Sequence, residues 1–231
     1  MPERPFERMS GLRSGMSSNL GSEDRSNTSR LPASQRRRQL LAVALQAFGT
    51  SGFHNTSMSA LAAAAGVTKP VLYQHFRSKR ELYLEVLRDS GGRLRDELGK
   101  AVADATSAHS QVAAGFRSYF QFFADEPFAF EVLFGDGSRR DDEFAREAHA
   151  VEESIAENVA QLIAIDDLPE LDRQVLAFGI VGLAEGASRY WMNHHIELAP
   201  SDLASRVADL AWYGLRGRQR RDERGRDDPV S

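Results

Sequence analysis

The chain of 231 residues contains no cysteine. This excludes disulfide frameworks, thiolate zinc sites and cysteine nucleophiles, and fits a reducing compartment, so the cytoplasm is the expected location. No apolar run approaches the roughly 18 to 20 residues of a membrane span, and the Arg-, Ser- and Gly-rich start lacks the apolar core of a signal peptide. No membrane partner is expected. A Gly-rich phosphate loop, a Gly-x-Ser-x-Gly elbow and paired carboxylates in a recognisable context are missing as well. His194 and His195 with Glu197 come nearest to a metal set. Adjacent residues on a helix diverge by about 100°, however, and no His-x-x-x-His pair supports a cage. An enzyme, a resident metal and a cofactor are therefore all unexpected.

Charge is present in quantity, and its placement is uneven. The formal net charge is only -4, yet residues 1 to 88 carry 13 Lys and Arg against 6 Asp and Glu, while the remaining 143 carry 16 against 27. A basic end joined to an acidic body implies that one end meets a polyanion and the other does something different.

Residues 1 to 30 hold six strongly apolar side chains without helical or alternating period, among seven Ser, and are expected to form a disordered arm. Met9 and Met16 within it offer alternative starts. Residues 216 to 231, charged with both signs and nearly free of apolar side chains, are expected to be a solvated, disordered tail. Everything between has helical period and no convincing strand alternation, so the fold class is all-α. Leu41, Ala44, Leu45 and Phe48 share one face of a first helix near Ser34 to Ser51, with Gly52 placed to cap it in the left-handed region. Met58, Leu61, Ala62 and Ala65 mark a second, short helix before Gly66. A third follows Thr68, with Pro70 in its first turn and Leu72 and Phe76 turned inward. The segment Ser78-Lys79-Arg80-Glu81 has capping-box form and opens a long fourth helix with Leu82, Val86, Leu87, Leu94 and Leu98 in one stripe. Further helices are expected near Ser110 to Ala124, Pro127 to Phe134, Arg139 to Ile165, Pro169 to His195 and Ser201 to Leu215.

The two short helices joined through Ala65-Gly66-Val67 have the form of a helix-turn-helix, with Gly66 permitting the tight turn. Around the second of them stand Thr68, Lys69, Tyr73, Gln74, His75, Arg77, Lys79 and Arg80, with no acidic residue between Asn55 and Arg80. Such a surface suits double-stranded DNA, with cations releasing counterions and the exposed face of the third helix entering the major groove. Tyr73 lies about 100° around the helix from Leu72 and so points away from the core side. A charged helical surface with a tight turn is the bland alternative.

The run Phe53-His54-Asn55-Thr56-Ser57-Met58-Ser59-Ala60-Leu61-Ala62, with Ala65-Gly66-Val67-Thr68-Lys69-Pro70-Val71-Leu72-Tyr73-Gln74-His75-Phe76-Arg77-Ser78-Lys79, closely resembles the DNA-binding segment of TetR-type transcriptional regulators, over roughly Arg36 to Arg88. The resemblance implies a DNA-binding domain over residues 31 to 78 and a helical effector-binding and dimerisation domain over 79 to 215. It also implies phosphate contacts from Tyr73, His75, Lys79, Thr56 and Ser57, with base reading by Thr68, Lys69, Val71 and Gln74; Arg36 is counted with this DNA-binding set. Pro70 departs from the Gly common at that position and removes a backbone donor.

The acidic body concentrates aromatic rings. Phe116, Tyr119, Phe120, Phe122, Phe123, Phe128, Phe130 and Phe134 fall within 19 residues. Core packing is the default for any one of them. As a set, Phe116, Phe120, Phe123 and Phe134 are expected to wall an elongated apolar pocket facing Leu94, Leu98, Phe144, Val151 and Phe178. Glu185 and Arg189, spaced i, i+4, are either a partly buried ion pair or a seat for an effector headgroup. The run around Arg189-Tyr190-Trp191 is similar to TetR-type regulators of fatty-acid synthase genes that sense long-chain acyl-CoA. A long-chain acyl-CoA or fatty acid is accordingly the expected effector, and a cationic drug sensed by a multidrug-responsive repressor is the alternative. The small residues Gly179, Gly182, Gly186 and Ala187, with the stripe Leu203, Val207, Leu210 and Gly214, point to a four-helix interface between two copies. A helical adaptor that binds only protein is the competing class, and it leaves the basic module without a task.

Overall fold

The computed structural model describes residues 32 to 226 apart from 164 and 166. The arm expected over 1 to 30 and the end of the tail, 227 to 231, lie outside the described residues. Helices account for nearly all regular structure within them, and no strand is present.

Helix α1 (Ala33–Asn55) buries Leu40, Leu41, Ala44, Leu45 and Phe48. Gly52 interrupts it at φ +75° and ψ 167°, an extended positive-φ conformation open to glycine and not the left-handed helical cap expected there, and the chain then makes one further turn. That extra turn is closed by Thr56, whose hydroxyl donates to the Gly52 carbonyl at 2.8 Å. Helix α2 (Met58–Ala64) starts at Ser57, whose hydroxyl accepts from the Ala60 amide. Gly66, at φ +65°, makes the turn into α3 (Lys69–His75). Leu61, Leu72 and Phe76 are almost completely buried and complete a small core with α1.

Helix α4 (Lys79–Ala103) leaves this module and runs the length of the body. Ser78 caps it through the Glu81 amide, but the Glu81 carboxylate accepts from the Arg77 amide at 2.6 Å, one residue earlier than a capping box requires. Helix α5 (Ala108–Asp125) has a full capping box from Ser107 and Ser110, and α6 (Pro127–Phe134) takes Pro127 in its first turn. The helix expected from Arg139 to Ile165 is α8 (Asp142–Leu162), and a single additional turn, α7 (Asp136–Arg139), precedes it where only a break was expected. The two are divided where the Asp141 carboxylate accepts from the Glu143 and Phe144 amides and starts α8 afresh. Helix α9 spans Glu170–Asn193, and α10 spans Pro200–Arg226. The last helix therefore runs past Leu215, and the tail expected from residue 216 is helical through 226. Mixed charge at helical spacing supports a solvated helix as readily as a coil, and no proline interrupts it before Pro229.

The body packs α4 against α5 and α8, α8 against α9, and α5 against α10. α4 and α8 run side by side in the same direction. They approach so closely at Gly91 that a Cβ there would collide with the Val151 side chain. Val151 thus fills a helix crossing instead of facing a pocket.

Candidate functional site

The α3 surface is presented without competition from the protein. Thr68 stands at the N-cap of α3 with no side-chain capping bond, which leaves its exposed hydroxyl free to reach outward. Lys69, Pro70, Gln74 and Arg77 are exposed, Val71 and His75 half-buried, and Tyr73 is 45% exposed although it is a large aromatic on a two-turn helix. Ser57 is exposed and uses only its acceptor in capping α2, so its O–H remains available. These groups form one donor-rich, cationic face of the size that enters a major groove.

Three members of the expected set have other partners. Thr56 is buried with its hydroxyl committed to the Gly52 carbonyl. Lys79 Nζ donates to the carbonyls of Phe53 at 2.7 Å and Thr56 at 2.8 Å, and sits 4.3 Å from the Phe53 ring centroid. Arg36 donates to the Gln39 carboxamide at 2.7 Å. Lys79 is thus a brace that ties the end of α1 and the start of α2 to the first turn of α4. Substituting Lys79 by Met is expected to weaken operator binding while leaving the slope of log affinity against log salt unchanged. Loss of a phosphate ligand would instead lower that slope by about 1.

Sequence reasoning passed over a second brace. Arg37 donates to the His75 carbonyl at 3.1 Å, pairs with Glu85 at 3.1 Å, and lies over the Phe76 ring, joining α1, the end of α3 and α4. Arg80, counted among the cations around α3, is instead drawn to the body. It pairs with Asp141 at 2.6 Å and with Glu143, above the Phe144 ring. Its hydrogen bond to Arg80 is the first cause, ahead of the two capping amides, that holds the Asp141 carboxyl below its usual range. Phe144 packs against Phe53 and Tyr83, so it belongs to the joint between module and body and not to a pocket. Burial first, then Asp141, pushes the Tyr83 phenol up to about 12, and it stays neutral in this joint.

A cavity of about 490 Å³ opens inside the body between α4, α5, α8, α9 and α10. That is within the range of roughly 300–1,000 Å³ typical of ligand sites. Leu98, Val102, Phe116, Tyr119, Ile155, Val159, Val181 and Trp212 are among the residues of its apolar wall. Of the effector-binding set expected from sequence, Leu98 and Phe116 line it. Phe120, Phe123 and Phe134 do not: Phe120 pairs within α5 with Phe116 and Tyr119, Phe123 meets α6 edge-to-face, lying 5.3 Å from Phe130 and 5.8 Å from Phe134, and all three are buried core. Leu94 is likewise fully buried, and Phe178 stands on the outer surface at 42% exposure. The rings of Phe120, Phe123 and Phe134 fill space, whereas Phe116, Tyr119 and Trp212 enclose it. The void exists where α4, α5 and α9 bring small residues together, Gly99, Ala103, Gly115 and Ala184. A glycine inside a helix costs roughly 0.5–1 kcal/mol relative to alanine. Gly99 and Gly115 stand inside α4 and α5 on this lining, but glycines that do not border it, such as Gly91 and Gly182, also lie within helices, so sequence alone does not single them out.

Glu185 and Arg189 resolve to the ion-pair alternative. Arg189 bonds Glu185 at 2.6 Å and the Phe134 carbonyl at 2.9 Å, and Glu185 also pairs with Arg139. Neither residue borders the cavity. No group of three or more potential metal ligands occurs among the described residues, and no described helix is long and apolar enough to cross a membrane.

The sequence signature of bacterial regulatory proteins of the tetR family matches residues 40–86, which takes in α2, α3 and the start of α4. The HTH-type transcriptional activator FasR of Mycolicibacterium smegmatis is 32% identical over 187 residues, 80% of this chain and 85% of that protein. The chain belongs to the TetR family. The HTH-type transcriptional regulator BetI of Rhizobium meliloti is 27% identical over 75% of this chain and 84% of its own length. Among solved structures, a TetR-like regulator from Rhodococcus sp. RHA1 superposes with a TM-score of 0.69 at 28% identity, covering 81% of this chain and all of that one. The FadR of Bacillus subtilis, solved with stearoyl-CoA, shares the fold at a TM-score of 0.67 and 15% identity, over 75% of this chain and 96% of that one. This TetR-family chain is accordingly a DNA-binding transcriptional regulator and, like its relatives, not an enzyme.

Proposed function

We propose that this regulator binds a near-palindromic operator as a homodimer, and that an amphiphilic lipid with a long apolar chain and an anionic head, a long-chain acyl-CoA or fatty acid, occupies the cavity and sets operator affinity at genes of lipid metabolism. The observation that carries the effector class is the lining. Among the described lining residues there is no carboxylate, and the one charged side chain is the cation Arg95. A cationic drug would need buried acids there, and Glu185, the candidate carboxylate for that alternative, lies elsewhere and is already paired twice. The similarity to FasR over most of both chains supports the same reading.

The homodimer rests on the outer faces of α9 and α10. Leu171, Val175, Phe178 and Tyr190 on α9 and Leu210 and Tyr213 on α10 are large apolar side chains left exposed, Leu171 and Tyr213 each at 70%. Gly179, Gly182 and Gly186 have open space where a Cβ would stand, which lets another helix come close. A second copy supplies both the cover for this patch and the second reading helix.

The decisive experiment titrates acyl-CoAs of graded chain length, and in parallel a cationic drug, against the protein–operator complex. Response that grows with chain length is expected. A response to the cationic drug without chain-length dependence would replace the lipid assignment with a multidrug one. Gly99→Leu provides a structural control, since a side chain there meets nothing within 4 Å of its Cβ. It should fill the cavity and raise the effector concentration needed by about tenfold or more, a change of about 1.4 kcal/mol, with operator affinity in the absence of effector preserved.

A further inference from the structure

Helix α4 carries four arginines, and three of them are consumed by carboxylates: Arg80 by Asp141 and Glu143, Arg88 by Glu147, and Arg93 by Asp89 and Glu126. Arg95 differs. Its Nη1 donates to the neutral Ser154 hydroxyl at 3.2 Å, and the described residues offer it no ion pair. Arg95 is exposed, and it borders the cavity one helical turn before Leu98 and Gly99. Opposite it on α8, Asn158 and Gln161 are exposed polar members of the same lining, while Ile155 and Val159 turn inward. The seam between α4 and α8 therefore grades from a polar, cationic rim to an apolar interior. Arg95 retains guanidinium N–H groups beyond the one given to Ser154, in a fork suited to carboxylate or phosphate oxygens.

We infer that Arg95 seats the anionic head of the effector at this rim, its chain running inward toward Val181 and Ala184. This rests on the lipid reading above and assigns the polarity with which the molecule lies. The chemistry is a carboxylate or phosphate oxygen accepting from an exposed guanidinium at the mouth of the apolar cavity. Such charge-assisted bonds are among the stronger ones available to a protein, so one residue can set the preference for an anionic over a neutral head.

Binding of palmitate, palmitoyl-CoA and 1-hexadecanol to the full-length protein, followed by calorimetry or by displacement of a fluorescent fatty acid, tests the assignment. Arg95→Ala is expected to weaken one or both anionic ligands by about tenfold and to leave hexadecanol unchanged. Loss for palmitate alone places the carboxylate on Arg95; loss for palmitoyl-CoA places a phosphate there. Arg95→Lys should restore part of the affinity, whereas Arg95→Glu should lower it beyond Arg95→Ala. An equal loss for all three ligands, or none for either anion, overturns the seat while leaving the lipid reading intact. Failure of the unaltered protein to bind any of the three overturns both. Gly99→Leu should weaken all three together, which separates occupancy of the chain channel from recognition of the head.

Discussion

Phe123→Ala should lower the free energy of unfolding by roughly 3–5 kcal/mol, the cost of removing a ring from a core that cannot collapse around the gap. Phe123 is fully buried and touches Tyr119, Phe122, Phe130 and Phe134 within 5.8 Å between ring centroids. Urea unfolding monitored by circular dichroism measures the change, and effector affinity of the folded protein should remain within about twofold because the ring does not border the cavity. Phe116→Ala should behave in the opposite sense. That ring lines the void, so its loss enlarges the pocket and shifts the preferred chain length. If Phe123→Ala proved nearly neutral for stability yet altered ligand preference, the aromatic cluster would be a pocket wall after all.

Placing glutamate at both Leu210 and Tyr213 is expected to convert the protein to a monomer and to bring operator affinity down toward its non-specific level, about 10³-fold or more weaker at moderate salt. Both side chains are more than 60% exposed on α10, so neither substitution removes core contacts, and the subunit should stay folded. Four carboxylates facing one another across a two-fold axis would instead oppose association through desolvation and like-charge repulsion. Sedimentation velocity at micromolar concentration and a mobility-shift titration report the two effects. A variant that stays dimeric would move the interface off α10, and a monomer that keeps full operator affinity would remove the need for paired half-sites. The outcome is distinct from that of Lys79→Met, where the dimer persists and only the placement of α3 is disturbed.

How much was legible differs between the two ends of the chain for a physical reason. The helix-turn-helix is built from local signals: Gly52 and Gly66 at positive φ, Ser57 and Ser78 at N-caps, and Leu72 and Phe76 facing inward. Each acts over a few residues, so each can be seen in sequence, as can the exposure of Tyr73 on the opposite side of α3. Lys79 and Thr56 show the limit. Their residue types suit phosphate, but their bonds go to carbonyls 23 to 26 residues away for Lys79 and four residues away for Thr56. Only the folded chain brings the Phe53 and Thr56 carbonyls to the start of α4.

In the body the sequence by itself determined the helices, their amphipathic faces and the presence of an apolar interior, because helical period and capping depend on neighbours within a turn or two. Which apolar residues fill that interior and which surround a hollow was decided by tertiary packing. Aromatic residues attract attention as cavity walls, yet their volume and edge-to-face contacts let them close the space between α5 and α6. The hollow falls where three of the five surrounding helices, α4, α5 and α9, present glycine and alanine, a coincidence of positions far apart in the chain. Charge followed the same division: the sequence set how many arginines α4 carries, and the placement of α8 beside it determined that Arg80 and Arg88 are neutralised while Arg95 is left at the cavity rim.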